Sequence, residues 1–189
     1  LDDLVFPHLQ AGDCGVGVPD AGGDLGGGLG LVKVLPVERD GRFEVLLEAV
    51  RLAVAEVPNL RVLIIGRGTH IQKVAKTPAK EMGLEKIVLF PGYRSDDFVE
   101  HVQSLDFKIF LVPGSDGTCR AVREAMALGK PVVAARRGIL PELIPHEEAG
   151  LILDDTPENL AAALVRMTKD ANLRRRLGRG AREHALTHF

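Results

Sequence analysis

Two acidic residues, Asp116 and Glu124, stand eight positions apart where the sequence changes from a polar loop to an apolar, helix-forming run. The stretch reads Ser115-Asp116-Gly117-Thr118-Cys119-Arg120-Ala121-Val122-Arg123-Glu124-Ala125-Met126-Ala127-Leu128, and Gly129-Lys130-Pro131 leads from it into the apolar run Val132-Val133-Ala134. A helix spanning Gly117–Leu128 is expected. Eight residues are about two and a quarter helical turns, so both carboxylates fall on roughly one side. The first turn of a helix exposes unpaired N–H groups and the positive end of its dipole, which suits an anion such as phosphate. Carboxylates beside such amides accept hydrogen bonds from hydroxyl groups. Together these features suit a nucleotide that carries a sugar. The competing readings are a turn or cap acid for Asp116 and a solvated acid for Glu124. The second is less natural, because Val122, Ala125 and Met126 flank Glu124.

The elements that must position this stretch alternate along the chain. Short apolar runs at Leu31–Leu35, Arg61–Ile65, Lys86–Phe90, Asp106–Val112, Pro131–Ala135 and Gly150–Leu153 read as strands without polar alternation. Between them, Gly41–Val57 carries a helical stripe of Phe43, Leu46, Leu47, Val50, Leu52, Ala53 and Val57. A further helix should run to about Met82, with Pro78 as a kink and Gly83 as C-cap. Ser95 or Asp96 could cap a helix ending near Ser104. A short helical turn is expected near Leu140–Ile144. Thr156-Pro157-Glu158 places a cap and then proline at the first helical position of a helix reaching Lys169, and a last helix covers about Asn172–His184. Strands apolar on both faces and separated by helices indicate a parallel sheet covered on both sides. The expected fold is therefore α/β, a doubly wound, Rossmann-like parallel sheet of about six strands. Ligands in such a sheet sit at the carboxyl ends of the strands. The loops after Leu35, Ile65, Phe90, Val112 and Ala135 all lie there.

Residues 1–30 differ from the rest, with nine glycines between Ala11 and Gly30 and no apolar periodicity. They read as an irregular, glycine-rich lead-in or linker, and residues 31–189 as one domain. The chain opens at Leu1 with neither Met nor a signal-peptide pattern, as expected of a fragment or a processed chain. A net charge of −2 and the lack of a long basic run argue against a nucleic-acid partner. Cys14 and Cys119 are too few and too separated for a disulfide framework or a zinc site. The apolar runs are strand-sized, so no membrane span is expected, and the sparse cysteines fit a reducing compartment; the expected location is cytoplasmic, with at most peripheral contact at the cytoplasmic membrane face.

The succession Gly66-x-Gly68, Phe90-x-Gly92, Asp116-x7-Glu124, Gly129-Lys130-Pro131-Val132-Val133-Ala134, Gly138-x3-Glu142 and Ala149-Gly150-Leu151 is distinctive. It resembles the C-terminal, donor-binding domain of retaining, two-lobed (GT-B) glycosyltransferases of group 1, over about residues 31–189. The resemblance implies a hexosyltransferase-like enzyme whose donor is a UDP-, GDP- or ADP-sugar. It implies no cofactor and no metal, and an acceptor bound by an N-terminal lobe outside this chain. Glu124 would accept hydrogen bonds from the ribose. Asp116, one methylene shorter than the family's Glu, would face the transferred sugar. The amides of Thr118, Cys119 and Arg120 would hold the diphosphate, although the family usually has an aromatic and then a glycine at the first two. Lys33 takes the place of the family's first phosphate-binding cation, and Arg39 or Arg42 could supply the second. Glu142 would face the ligand.

Other readings stay open. Gly66-Arg67-Gly68 could open a dinucleotide fingerprint, but Ile71 stands where its third glycine belongs. The two glycines better suit a tight turn that lets backbone approach a nucleotide. Arg136-Arg137-Gly138 could contact phosphate or base, or form a surface pair. His184 and His188 are one turn apart without a third metal ligand in evidence. Arg174–Arg176, Arg179 and Arg182 make a basic last helix, by default a solvated outer face. The departures at Lys33, Asp116, Thr118 and Cys119 keep a second hypothesis alive, a non-catalytic nucleotide-binding or interaction module of the same fold. A nucleotide-sugar epimerase of similar architecture is a third, but its catalytic acids and histidine find no match here.

Overall fold

The computed structural model describes residues 42–66, 68–94, 96–113 and 119–189. Within them the chain runs α1 (Phe43–Val54), β1 (Val62–Ile65), a π-helical segment (Gln72–Lys76), α2 (Thr77–Glu81), β2 (Val88–Gly92), α3 (Phe98–Gln103) and β3 (Lys108–Phe110). It continues through α4 (Arg120–Ala127), β4 (Val132–Ala135), α5 (Leu140–Leu143), β5 (Gly150–Leu153), α6 (Pro157–Lys169) and α7 (Ala171–His188). All strand pairings are parallel, β1 with β2 and β3-β4-β5 in that order. The described strands number five and form two hydrogen-bonded groups. The expected first strand, Leu31–Leu35, lies outside the described residues.

Successive strand residues face opposite layers, each packed into an apolar cluster. Ile109, Val133, Ala135 and Leu151 join a core with Val62, Ile64, α1 and α6. Phe110, Val132, Ala134 and Ile152 join another with Val122 and Met126 of α4, Leu140 and Leu143 of α5, and Ala181 and Ala185 of α7. A third, smaller cluster sets Val102, Leu105 and Ala125 against Leu63. This is the doubly wound arrangement that apolar, non-alternating strands require.

Several boundaries depart from expectation for local reasons. Strand β3 is shorter than Asp106–Val112 because only Lys108–Phe110 pair with β4. Proline 78 produces no bend in a regular helix. The turn before it widens into the π-helix, which accommodates a residue that lacks an N–H and crowds the preceding turn. Asp97, rather than Ser95 or Asp96, occupies the cap position of α3, and its carboxylate approaches Arg94 (3.5 Å) and His101 (3.4 Å) instead of helix amides. Helix α7 starts at Ala171 and ends at His188, capped by Asp170, whose Oδ1 accepts from Leu173 N–H at 2.8 Å. The Thr156 cap is as expected, with Oγ1 accepting from Asn159 N–H at 3.2 Å. Gly83 turns left-handed (φ 69°) and closes α2, with Leu84 N–H donating to the Ala79 carbonyl.

The basic last helix presents the expected exposed face at Arg175, Arg176, Arg179 and Arg182, and three of its arginines also bind backbone carbonyls. Arg174 donates to the Met167 and Thr168 carbonyls at the end of α6, Arg176 to Glu147, and Arg182 to Ala127 at the end of α4. No described helix is long and apolar enough to cross a membrane.

Helix α7 sits against backbone through two glycines. A Cβ on Gly178 would lie 2.4 Å from the Gly129 carbonyl oxygen, and one on Gly180 would lie 2.1 Å from that of Glu148. Alanine at an open helical glycine normally stabilises. Here Gly178→Ala and Gly180→Ala are each expected to cost about 1–3 kcal/mol, because a rigid backbone atom must move. Urea denaturation of the two variants measures it.

The amino edge of the sheet carries a partly buried charge cluster, where Asp106 lies 3.5 Å from Arg174 with Lys130 nearby. Burial raises the Asp106 pKa more than the two cations lower it. The folded chain therefore holds this proton to higher pH than the unfolded chain, and the group's contribution to stability falls as pH rises from about 4 through the raised value. Asp106→Asn is expected to abolish that decline, read from unfolding free energies between pH 4 and 7.

Candidate functional site

Helix α4 buries Ala121, Val122, Ala125 and Met126, which turns Glu124 away from the core. The Glu124 side chain is 32% exposed, and its Oε1 accepts from Arg120 Nε at 2.8 Å, one turn earlier. Arg120 is 85% exposed, so this pair is weakly held and its partners are open to exchange. The first N–H groups of the helix belong to Arg120 and Ala121, which lack intrahelical acceptors as in any first turn. The expected helix start at Gly117 is therefore corrected to Arg120. Cys119 stands at the cap, fully buried among Phe110, Val122, Met126 and Val132. Its side chain behaves as a small apolar group facing the core and does not crowd an anion at the helix start. Asp116 and Thr118 lie outside the described residues, as do Lys33 and Arg39.

A second part of the same sheet edge is built from glycine. Gly66 leaves β1 at φ 148° and donates its N–H to the Gly92 carbonyl at 2.9 Å, while Gly92 itself has φ 84°. Nothing lies within 4 Å of where a Cβ on either would stand. Gly66, Gly68, Ile71, Lys76, Phe90, Gly92 and Tyr93 line a cavity of about 180 Å³ at the carboxyl ends of β1 and β2. Lys76 Nζ lies 5.6 Å from the Phe90 ring centroid, and Tyr93 is 60% exposed. Sequence reasoning found the two glycines but missed Lys76 and Tyr93. An exposed aromatic after a strand was the available signal.

Glu142 is exposed on α5 and caps nothing; Ile139 holds the cap position. It lines a different cavity, of about 310 Å³, with Ile139, Leu143, His184, His188 and Phe189. The two cavities share no residue. The His184 and His188 rings stack at 4.2 Å, and burial, then His188, lowers the His184 pKa. Among the described residues no group of three or more His, Cys, Asp or Glu is placed to hold a metal.

Arg42 is committed to the fold. It precedes α1 in left-handed backbone (φ 51°), and its Nε and Nη2 both meet Asp155 Oδ2, at 2.7 and 2.5 Å. Asp155 had no role in the sequence reading, because nothing in the sequence links positions 113 residues apart.

The sequence model of the family Glycosyl transferases group 1 matches residues 32–184. The chain belongs to that family. It is 34% identical over 154 residues to a D-inositol 3-phosphate glycosyltransferase of Saccharomonospora viridis, covering 75% of this chain and 35% of that protein. It is 27% identical over 161 residues to an N-acetyl-alpha-D-glucosaminyl L-malate synthase of Bacillus anthracis, covering 84% and 41%. The chain thus spans little more than a third of the curated relatives it matches. Among solved structures, Anabaena Alr3699/HepE in complex with UDP and glucose superposes with a TM-score of 0.75 at 23% identity, over 86% of this chain and 45% of that one. The C-terminal domain of a group 1 glycosyl transferase from Francisella tularensis gives 0.73 at 21% identity, over 85% of each chain. The fold is that of the C-terminal, Rossmann-like lobe of GT-B glycosyltransferases.

Left-handed backbone disfavours any side chain, so the Asp155 pair must offset strain at Arg42. Arg42→Ala and Arg42→Gly both lose the pair, but only glycine relieves the strain. Ala is expected to be the less stable of the two by about 1 kcal/mol, measured by chemical denaturation.

Proposed function

We propose that this chain is the donor-binding lobe of a glycosyltransferase that moves a sugar from a nucleoside-diphosphate sugar to an acceptor hydroxyl, with retention and without a metal. One observation carries the reading most strongly. In a chain of this family, Glu124 is a part-exposed carboxylate on α4, at the helix that opens toward the carboxyl edge of the sheet. Among the described residues its partner is the exposed Arg120, which hydroxyl groups of a ribose can displace. Support for a nucleotide also comes from HepE, which was solved with UDP.

The roles follow from charge and reach. Glu124 accepts from the ribose hydroxyls, and Asp116 from the transferred sugar. Amides at Thr118, Cys119 and Arg120 face the diphosphate, which must leave with its charge compensated. Lys33 supplies one cation. Arg39 supplies the second in preference to Arg42, because Asp155 already occupies the Arg42 guanidinium. Gly66, Gly68 and Gly92 let backbone approach the base beside Tyr93. Glu142, which lines the separate cavity between α5 and the end of α7, is assigned to the ligand on the family pattern alone. An N-terminal lobe holds the acceptor, so the chain alone binds donor weakly and transfers little.

Calorimetry of the chain with UDP, GDP and ADP tests the reading. At least one should bind saturably, and Glu124→Ala should weaken it about tenfold or more, the size of lost hydrogen bonds to a charged group. If none of the three binds at millimolar concentration, the donor reading is wrong. A chain that binds nucleotide but transfers no sugar when joined to its N-terminal lobe is the non-catalytic module.

A further inference from the structure

Two arginines and two aspartates meet where β4 and β5 end, and the roles assigned above use none of them. Ala135 pairs with Leu153, and Arg136 N–H donates to the Leu153 carbonyl at 2.7 Å. Arg136 and Arg137 therefore leave the sheet alongside Asp154 and Asp155. The first pair is ordinary. Arg136 Nε lies 3.2 Å from Asp154 Oδ1, both side chains are more than half exposed, and such a contact holds little.

The second pair is different. Asp155 is only 15% exposed, and Arg137 Nε lies 3.0 Å from its Oδ2, the oxygen that also takes both nitrogens of Arg42. One carboxylate between two guanidinium groups leaves one positive charge uncompensated. Arg42 gives Asp155 both Nε and Nη2, whereas Arg137 approaches it most closely through Nε. Its two Nη groups donate no hydrogen bond among the described residues, and the side chain is 37% exposed. The strand register also fixes its surroundings. Phe110 pairs with Ala134, so β3 ends beside the strand from which Arg136 and Arg137 emerge. Gly138, in left-handed backbone (φ 51°), then turns the chain into α5.

We propose that Arg137 is a further ligand for the diphosphate of the donor, and that Asp155 is the residue that positions it; this rests on the donor-site reading above. A guanidinium pairs with phosphate oxygens through two parallel N–H bonds, and the two Nη groups supply such an edge. A side chain already oriented by a carboxylate loses less freedom when a ligand arrives. Asp155 can orient Arg137 without neutralising it, because Arg42 balances the carboxylate.

The test is calorimetry of the whole 189-residue chain with UDP, GDP and ADP, and with the nucleoside of whichever binds. Arg137→Gln should weaken diphosphate binding about tenfold and leave nucleoside binding unchanged. Arg136→Gln, with the same loss of charge one residue away, should change it less than twofold. Asp155→Asn should weaken the diphosphate too, but add nothing in an Arg137→Gln background, because its effect runs through Arg137. Melting temperatures establish that each variant is folded. Arg137→Gln binding as tightly as the parent, or Arg136→Gln losing as much, overturns the assignment of Arg137. Additive losses overturn the positioning role of Asp155. A parent chain that binds no nucleotide overturns the donor reading and this inference with it, whereas a binding parent with an indifferent Arg137→Gln overturns the inference alone.

Discussion

Strands β3, β4 and β5 are buried on both faces, and that constraint decides where everything polar in this molecule can go. Ile109, Val133 and Leu151 meet one core while Phe110, Val132 and Ile152 meet the other. Apart from Lys108, buried at the start of β3, both faces are apolar, and the other charged groups near the sheet collect at the two ends of the strands. The amino edge holds Asp106, Lys130 and Arg174; the carboxyl edge holds Arg42, Asp155, Arg137 and the opening of α4.

The two edges treat charge differently. At the amino edge burial works against ionisation, lowering the Lys130 pKa as it raises that of Asp106, and Arg174 is spent on the carbonyls that close α6. That cluster is a joint between helix and sheet. At the carboxyl edge the groups are part-exposed, cations exceed carboxylates around Asp155, and glycine backbone at Gly66 and Gly92 leaves open space. A joint consumes its charges internally. A binding edge leaves some within reach of solvent, as the part-exposed Arg137 does at the carboxyl edge.

The fold was largely legible because its strongest signals are local. Unbroken apolar runs marked the strands, and Thr156-Pro157 and Gly83 marked helix ends through side-chain and backbone chemistry that needs no tertiary context. Glu124 was legible for the same reason, being the one acid in the helical run Arg120–Ala127. What escaped the sequence depends on contacts between distant segments. Asp155 acquires its meaning from Arg42, and the basic face of α7 from carbonyls on α4, α6 and the loop before β5. The inward turn of Cys119 follows from the gap it fills beside Val132. The π-helix was hidden for a third reason. It shifts helical phase partway along a segment, so a pattern scanned at a fixed 3.6-residue period blurs there.

The glycines of α7 have a geometric consequence for that helix as a whole. Gly178 rests on the turn after α4 and Gly180 on the turn before β5, so the helix is threaded through a slot with two narrow points. Any axial slip or rotation by one residue would carry Leu177, Arg179 or Ala181 into a gap too small for a methyl group. The last helix is thereby keyed, like a shaft with two flats, to a unique angular setting, and the turns that precede β4 and β5 inherit that setting.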